Sequence, residues 1–162
     1  MSLLINLSLD EQVTVKLAPF YVFLIVSKAD RKIDEKEYDK FKEDVKTLAE
    51  NKIHPVYEGS LSAGAVHEIF LLGHLHFAEY SVLAENSEIP YLEMLKKIAV
   101  ILENKAAKED ANLFKKVLLT LAVNIAESAG GWLPIGNNIS KIEIAAIRDI
   151  KNALNYFDQV DV

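Results

Sequence analysis

One local pattern occurs twice in this chain, near opposite ends, and it narrows the available folds more than any other feature. The first copy reads Ala29-Asp30-Arg31-Lys32-Ile33-Asp34-Glu35-Lys36-Glu37. The second reads Ala129-Gly130-Gly131-Trp132-Leu133 and, after a short insert, Ile139-Ser140-Lys141-Ile142-Glu143. In each copy an apolar stretch runs into a polar loop, and the loop ends in Ile-(Asp/Ser)-x-x-Glu ahead of an amphipathic stretch. Asp or Ser followed three residues later by Glu is a capping box, in which the first side chain accepts a free backbone N–H and the glutamate reaches back to the cap. Each copy is therefore a helix stop, a loop and a capped helix start. Two copies so far apart are too few for a solenoid. They predict two helix–loop–helix hairpins packed together with approximate two-fold symmetry.

The rest of the chain is helical in pattern, with no alternation long enough for a strand. Ser8-Leu9-Asp10-Glu11 is a further capping box and opens a short first helix. Pro19 suits the first turn of a second, where its missing N–H costs nothing. That helix carries Phe20 to Val26, apolar on all sides, and belongs at the centre of the molecule. The helix begun at Asp34 shows Tyr38, Phe41, Val45 and Leu48 at helical spacing and ends near Asn51. Lys52 to Gly59 reads as a loop. Ser60 or Ser62 then caps a long helix through about Glu85. Pro90 begins another that ends near Asn104, and an apolar helix runs from about Lys108 to Ala129. The last helix, capped by Ser140, places Ile147, Ile150, Leu154 and Phe157 on one face. The expectation is an all-α fold: a single compact bundle of about seven helices formed by residues 1–162 as one domain.

Composition bounds the function. Hydrophobic residues make up 51% and charged residues 26%, which suits a folded globular chain with a sizeable core. The net charge of −6 opposes a phosphate backbone, and no basic run offsets it, so nucleic acid is not an expected partner. There is no cysteine, which excludes disulfides, thiolate zinc sites and cysteine nucleophiles and suits a reducing, cytoplasmic compartment. The N-terminus lacks the basic region of a signal peptide. The most apolar runs, Leu17 to Val26 and Val117 to Ala126, are about ten residues each against the roughly 20 that span a bilayer. They read as core helices, and no transmembrane segment is expected.

An apolar helix, then Ala-Asp-Gly-x-Ile-(Ser/Asp)-x-x-Glu, then an amphipathic helix resembles the tellurite-resistance B (TerB-like) family, and the resemblance covers most of the chain. In the first copy Asp30, Asp34 and Glu37 match the family's acidic or cap positions, with Arg31 where the family has Gly. In the second, Gly131, Ser140 and Glu143 match, with Gly130 in place of the Asp and an insert lengthening the loop; Glu127 offers a replacement carboxylate. The resemblance implies a non-enzymatic helical bundle whose acidic corners bind a divalent cation. It also implies a place in bacterial responses to tellurite and other chemical stress, with partner stress-response proteins near the inner face of the membrane. No organic cofactor is implied.

The residues themselves leave two readings of the acidic corners open. Glu37 lies four residues before Phe41, and Glu143 four before Ile147, so each sits near the buried stripe of its helix. If the hairpins face each other, Asp30, Asp34, Glu37, Glu127 and Glu143 could supply the oxygen ligands that Ca²⁺ or Mg²⁺ requires, with Zn²⁺ a poorer match. Alternatively the glutamates only cap helices and meet the positive end of the helix dipole. An EF-hand is excluded, since counting from Asp30 the twelfth position is Phe41. A second metal set is His67, His74, His76 and Glu79, with Glu68 nearby. It would make the chain a metal-dependent enzyme, although His74 and His76 project to opposite sides of a regular helix and no HExxH is present. The bland reading is a histidine face beside Phe70 and Phe77. Trp132 reads as a lid over the core, and no nucleophile is placed by spacing alone. A homo-oligomer without a ligand is a third possibility.

Overall fold

The computed structural model describes residues 3–29, 33, 35–50, 61–129 and 140–157. Helix starts follow local chemistry. Ser8 caps α1 (Leu9–Lys16), with its hydroxyl accepting from the Glu11 N–H and the Glu11 carboxylate accepting from the Ser8 N–H. After Leu17, Pro19 lies in the first turn of α2 (Ala18–Ala29). α3 is Glu35–Ala49. Pro90 caps α6 (Tyr91–Lys105), α7 runs Lys108–Ala129, and Ser140 caps α8 (Lys141–Ala153). Among the described residues there are eight helical segments and no strand, the first two separated by Leu17 alone.

Two elements differ from expectation. The long helix expected through Glu85 is broken at His76, whose φ −116° and ψ 31° divide it into α4 (Leu61–Leu75) and α5 (Phe77–Glu85). No Gly or Pro marks the break. It accompanies the docking of Phe77 onto the rings of Phe20, Tyr38 and Phe41, 5.3–5.6 Å between centroids. At the other end, Phe157 does not extend the buried face of α8. The helix stops at Leu154, and Asn155 takes the left-handed conformation at φ 55°. The N–H groups of Asn155 and Tyr156 then bond back to Asn152 O and Lys151 O, a Schellman closure. This turn buries Tyr156 and leaves Phe157 82% exposed.

α2 and α7 form the centre and pack on each other. From Ala18 to Ser27 every residue of α2 except half-buried Ile25 is buried, as its uniform apolarity requires. α3, the second helix of the first hairpin, packs on α7. α8, the second helix of the second hairpin, packs on α2. Exchanging the hairpins maps one of these contacts onto the other. α4 lies on α3 and α7. Gly73 faces the Phe20 ring of α2 and Val45 of α3, where a Cβ would meet both at ordinary contact distance. Taken as one helix, α1 and α2 (Leu9–Ala29) are long and apolar enough to cross a membrane by length and composition. Within the protein, 61% of that window is buried in the core.

Candidate functional site

The chain contains two fully described capping boxes of the same local form, and the fold treats them differently. In α1 the Glu11 side chain is half-buried at the surface, 23% exposed, and both carboxylate oxygens accept from Lys105 Nζ at 2.8 Å. Those hydrogen bonds, joined by the Ser8 N–H, hold its carboxyl below the usual range. In α8 the Glu143 carboxylate is 4% exposed. Its Oε1 accepts from the Ser140 N–H at 3.2 Å and the Ser140 hydroxyl at 2.8 Å. Its Oε2 is buried with no hydrogen-bond partner among the described residues. Buried polar atoms are rarely left so, because withholding a partner costs about 1–3 kcal/mol, more for a charged group.

Glu37 is the counterpart of Glu143 in the first hairpin. It is the third residue of α3 and is 1% exposed. Thus each hairpin begins its second helix with a buried glutamate in the first turn, where the helix dipole favours negative charge. Glu37 and Glu143 are two of only four buried polar or charged residues among those described, the others being Ser27 and Lys115. Their helices are linked through the centre, since α3 and α8 both pack on α7. Glu127, near the end of α7, is exposed. Asp30, Asp34 and Trp132 lie outside the described residues.

The histidine set is not gathered. His67 is half-buried and its Nε2 lies 2.8 Å from Ala49 O, so the ring closes the carboxyl end of α3 onto α4. His74 is half-buried. His76 is exposed at the α4–α5 break, stacks on Tyr80 at 5.5 Å and has Nδ1 3.6 Å from Glu79 Oε2. Among the described residues no three His, Asp or Glu side chains come together as a cation site.

One cluster had no place in the sequence reading. Lys115 is 3% exposed and its Nζ donates to Glu103 Oε1 at 3.2 Å, while Asn155 Nδ2 donates to the same oxygen at 2.8 Å. Asn155 foremost, with Lys115, holds the Glu103 carboxyl below its usual range. These groups line a surface cleft of about 430 Å³ between α6, α7 and the end of α8. The available signal was a lysine on the apolar stripe of α7, four residues after Ala111 and three before Leu118.

The chain matches no family model, no curated protein and no solved structure at a significant level. Fold and site therefore define it as an all-α helical bundle built on two helix–loop–helix hairpins, each with a buried glutamate at the start of its second helix.

Proposed function

We propose that this chain is a TerB-like, non-enzymatic binding or scaffold module of a cytoplasmic chemical-stress response, acting with partner proteins and responsive to a divalent cation at its acidic corners. The observation that carries the reading is the buried, unengaged Oε2 of Glu143, in a hairpin whose twin also buries a glutamate at the same helical position. A carboxylate that only capped a helix would be served as well at the surface, as Glu11 is. A hard cation would give the buried oxygen a partner, and carboxylates are the donors such ions take. Glu143 and Glu37 would hold the ion, with Asp30, Asp34 and Glu127 as further donors. The ion would supply charge neutralisation that fixes how the two hairpins pair, and so changes the surface offered to a partner. The histidine alternative lacks comparable support, because the ring nitrogen of His67 is engaged by Ala49 O.

Calorimetric titration with Ca²⁺, Mg²⁺ and Zn²⁺ tests the proposal. The expected result is saturable binding of Ca²⁺ or Mg²⁺ that is lost in Glu143→Gln and weakened in Glu37→Gln. Flat titrations for all three ions would remove the cation and leave only the scaffold reading.

A further inference from the structure

The outer face of α4 and α5 carries an apolar row and no Lys or Arg of its own; Lys28 of α2 approaches it through the Tyr91 hydroxyl, which donates to Glu85 O, and Lys42 of α3 through the Phe77 ring. The buried positions Phe70, Gly73, Phe77 and Ala84 keep one helical phase through the break at His76. The opposite phase therefore also continues. It presents Leu71, Leu75, Ala78 and Val82 to solvent, at 37%, 64% and 57% exposure for the three larger side chains. Their spacing of four, three and four residues is that of a heptad seam, the arrangement that receives a second helix. Single exposed leucines are ordinary, but a row of them at seam spacing marks an interaction surface.

Charge decides what covers it. Of the 18 Lys and Arg residues in the chain, none lies between Lys52 and Lys96, although Glu68, Glu79, Glu85, Glu88 and Glu93 all do. Glu79 and Glu85 are exposed beside the seam. A second copy docked through the same face would set acid against acid, because a two-fold interface pairs a surface with itself. An anionic lipid surface is repelled for the same reason. A helix with an apolar seam and Lys or Arg on its flanks satisfies both the leucines and the glutamates.

We infer that the α4–α5 face is a docking site for a basic amphipathic helix of a partner protein. The inference rests on the reading of this chain as a binding module, and not on cation binding at the hairpin corners. The probe is a fluorescein-labelled peptide about three heptads long with Leu at the seam and Lys on both flanks, followed by fluorescence anisotropy at about 0.15 M salt. The wild-type chain is expected to bind it. Leu75→Gln/Val82→Gln and Glu79→Lys/Glu85→Lys should each weaken binding at least about tenfold, with circular dichroism unchanged. Glu109→Lys/Asp149→Lys, acidic surface positions elsewhere, should bind as the wild type does. The inference is overturned by absence of binding, by equal weakening in every acid-to-lysine variant, or by binding indifferent to the seam substitutions. Sedimentation showing a dimer that Leu75→Gln/Val82→Gln dissociates would also overturn it, by assigning the face to a second copy. Each of these outcomes leaves the calorimetric test of the corners standing, and flat cation titrations would leave the docking result standing.

Discussion

Phe23 of α2 and Phe41 of α3 stack in parallel, 4.6 Å between ring centroids and 6° between ring planes. Phe20 meets the edge of Phe41 at 5.3 Å and Phe77 adds a fourth ring. Phe41 is fully buried, so it joins the two helices of the first hairpin to the broken α4–α5 pair. Phe41→Ala removes that junction and is expected to cost about 3–5 kcal/mol, with Phe41→Leu costing less because most of the volume remains. Urea unfolding of the two variants measures both values. Against a total stability of about 5–15 kcal/mol for such a domain, the alanine variant will be close to unfolding. A loss under about 1 kcal/mol would show that the aromatic cluster is not the hinge of the core.

The Ser140 cap serves Glu143 twice, by accepting from its N–H and by donating to its Oε1. Ser8 makes the matching backbone bonds to Glu11 at the surface. Replacing a capping serine by alanine costs about 0.5–2 kcal/mol. Ser140→Ala should fall at the upper end because it also removes a hydroxyl donor from a buried carboxylate. Ser8→Ala should fall at the lower end, since water replaces what is lost. Equal losses in chemical denaturation would mean that the burial of Glu143 has no energetic consequence.

Asn155 holds a backbone conformation that side chains with a Cβ disfavour by about 1–2 kcal/mol, and that asparagine and glycine tolerate best. Asn155→Ala loses both this tolerance and the bond to Glu103. Asn155→Gly keeps the turn and loses only the bond. The alanine variant should therefore be the less stable of the two. In either, the Glu103 carboxyl should titrate closer to its ordinary range, which is measurable by NMR. An alanine variant as stable as the glycine one would contradict the left-handed turn.

Two carboxyls give opposite pH signatures. Burial raises the Asp44 carboxyl, partly opposed by the Lys40 ion pair at 3.0 Å. Its folded form binds the proton more tightly than its unfolded form, so stability declines as pH rises from the ordinary aspartate range through the raised folded value. Asp44→Asn should then be more stable than the wild type at neutral pH, with the gap closing below the ordinary aspartate range. Glu11 is lowered by Lys105, so its contribution is present above the ordinary glutamate range and disappears as pH falls through the lowered folded value. Lys105→Met should flatten that acid limb. Urea midpoints collected across pH would expose either sign as wrong.

Much of the secondary structure was legible in the chain because it rests on neighbours in sequence. Ser8, Pro90 and Ser140 start helices where they stand, since a serine cap accepts one of the next few N–H groups and a proline brings a fixed φ and no N–H of its own to satisfy. The uniform apolarity of Phe20 to Val26 already required a central helix, and α2 is central. The doubled pattern likewise anticipated two hairpins. Spacing placed Glu37 and Glu143 near the buried stripes of their helices, four residues before Phe41 and Ile147, but it places Glu11 four residues before buried Val15 in the same way. Glu11 and Glu143 end the same Ser-x-x-Glu motif, yet one faces a lysine at the surface and the other is enclosed, with Glu37 enclosed alongside it in the first hairpin. That difference comes from the helices packed around each motif, which no local pattern encodes.

The break at His76, the inward turn of Tyr156 and the engagement of His67 by Ala49 O have the same origin. Each satisfies a ring or a carbonyl brought close by the fold from another part of the chain or from the far side of a turn. The sequence by itself determined where the capped helices begin, which helix is apolar enough to be central, and that one hairpin pattern is used twice. Only the tertiary structure decided which carboxylates lose contact with water and which leucines keep it, because desolvation depends on the atoms that surround a group and not on the residues beside it in the chain.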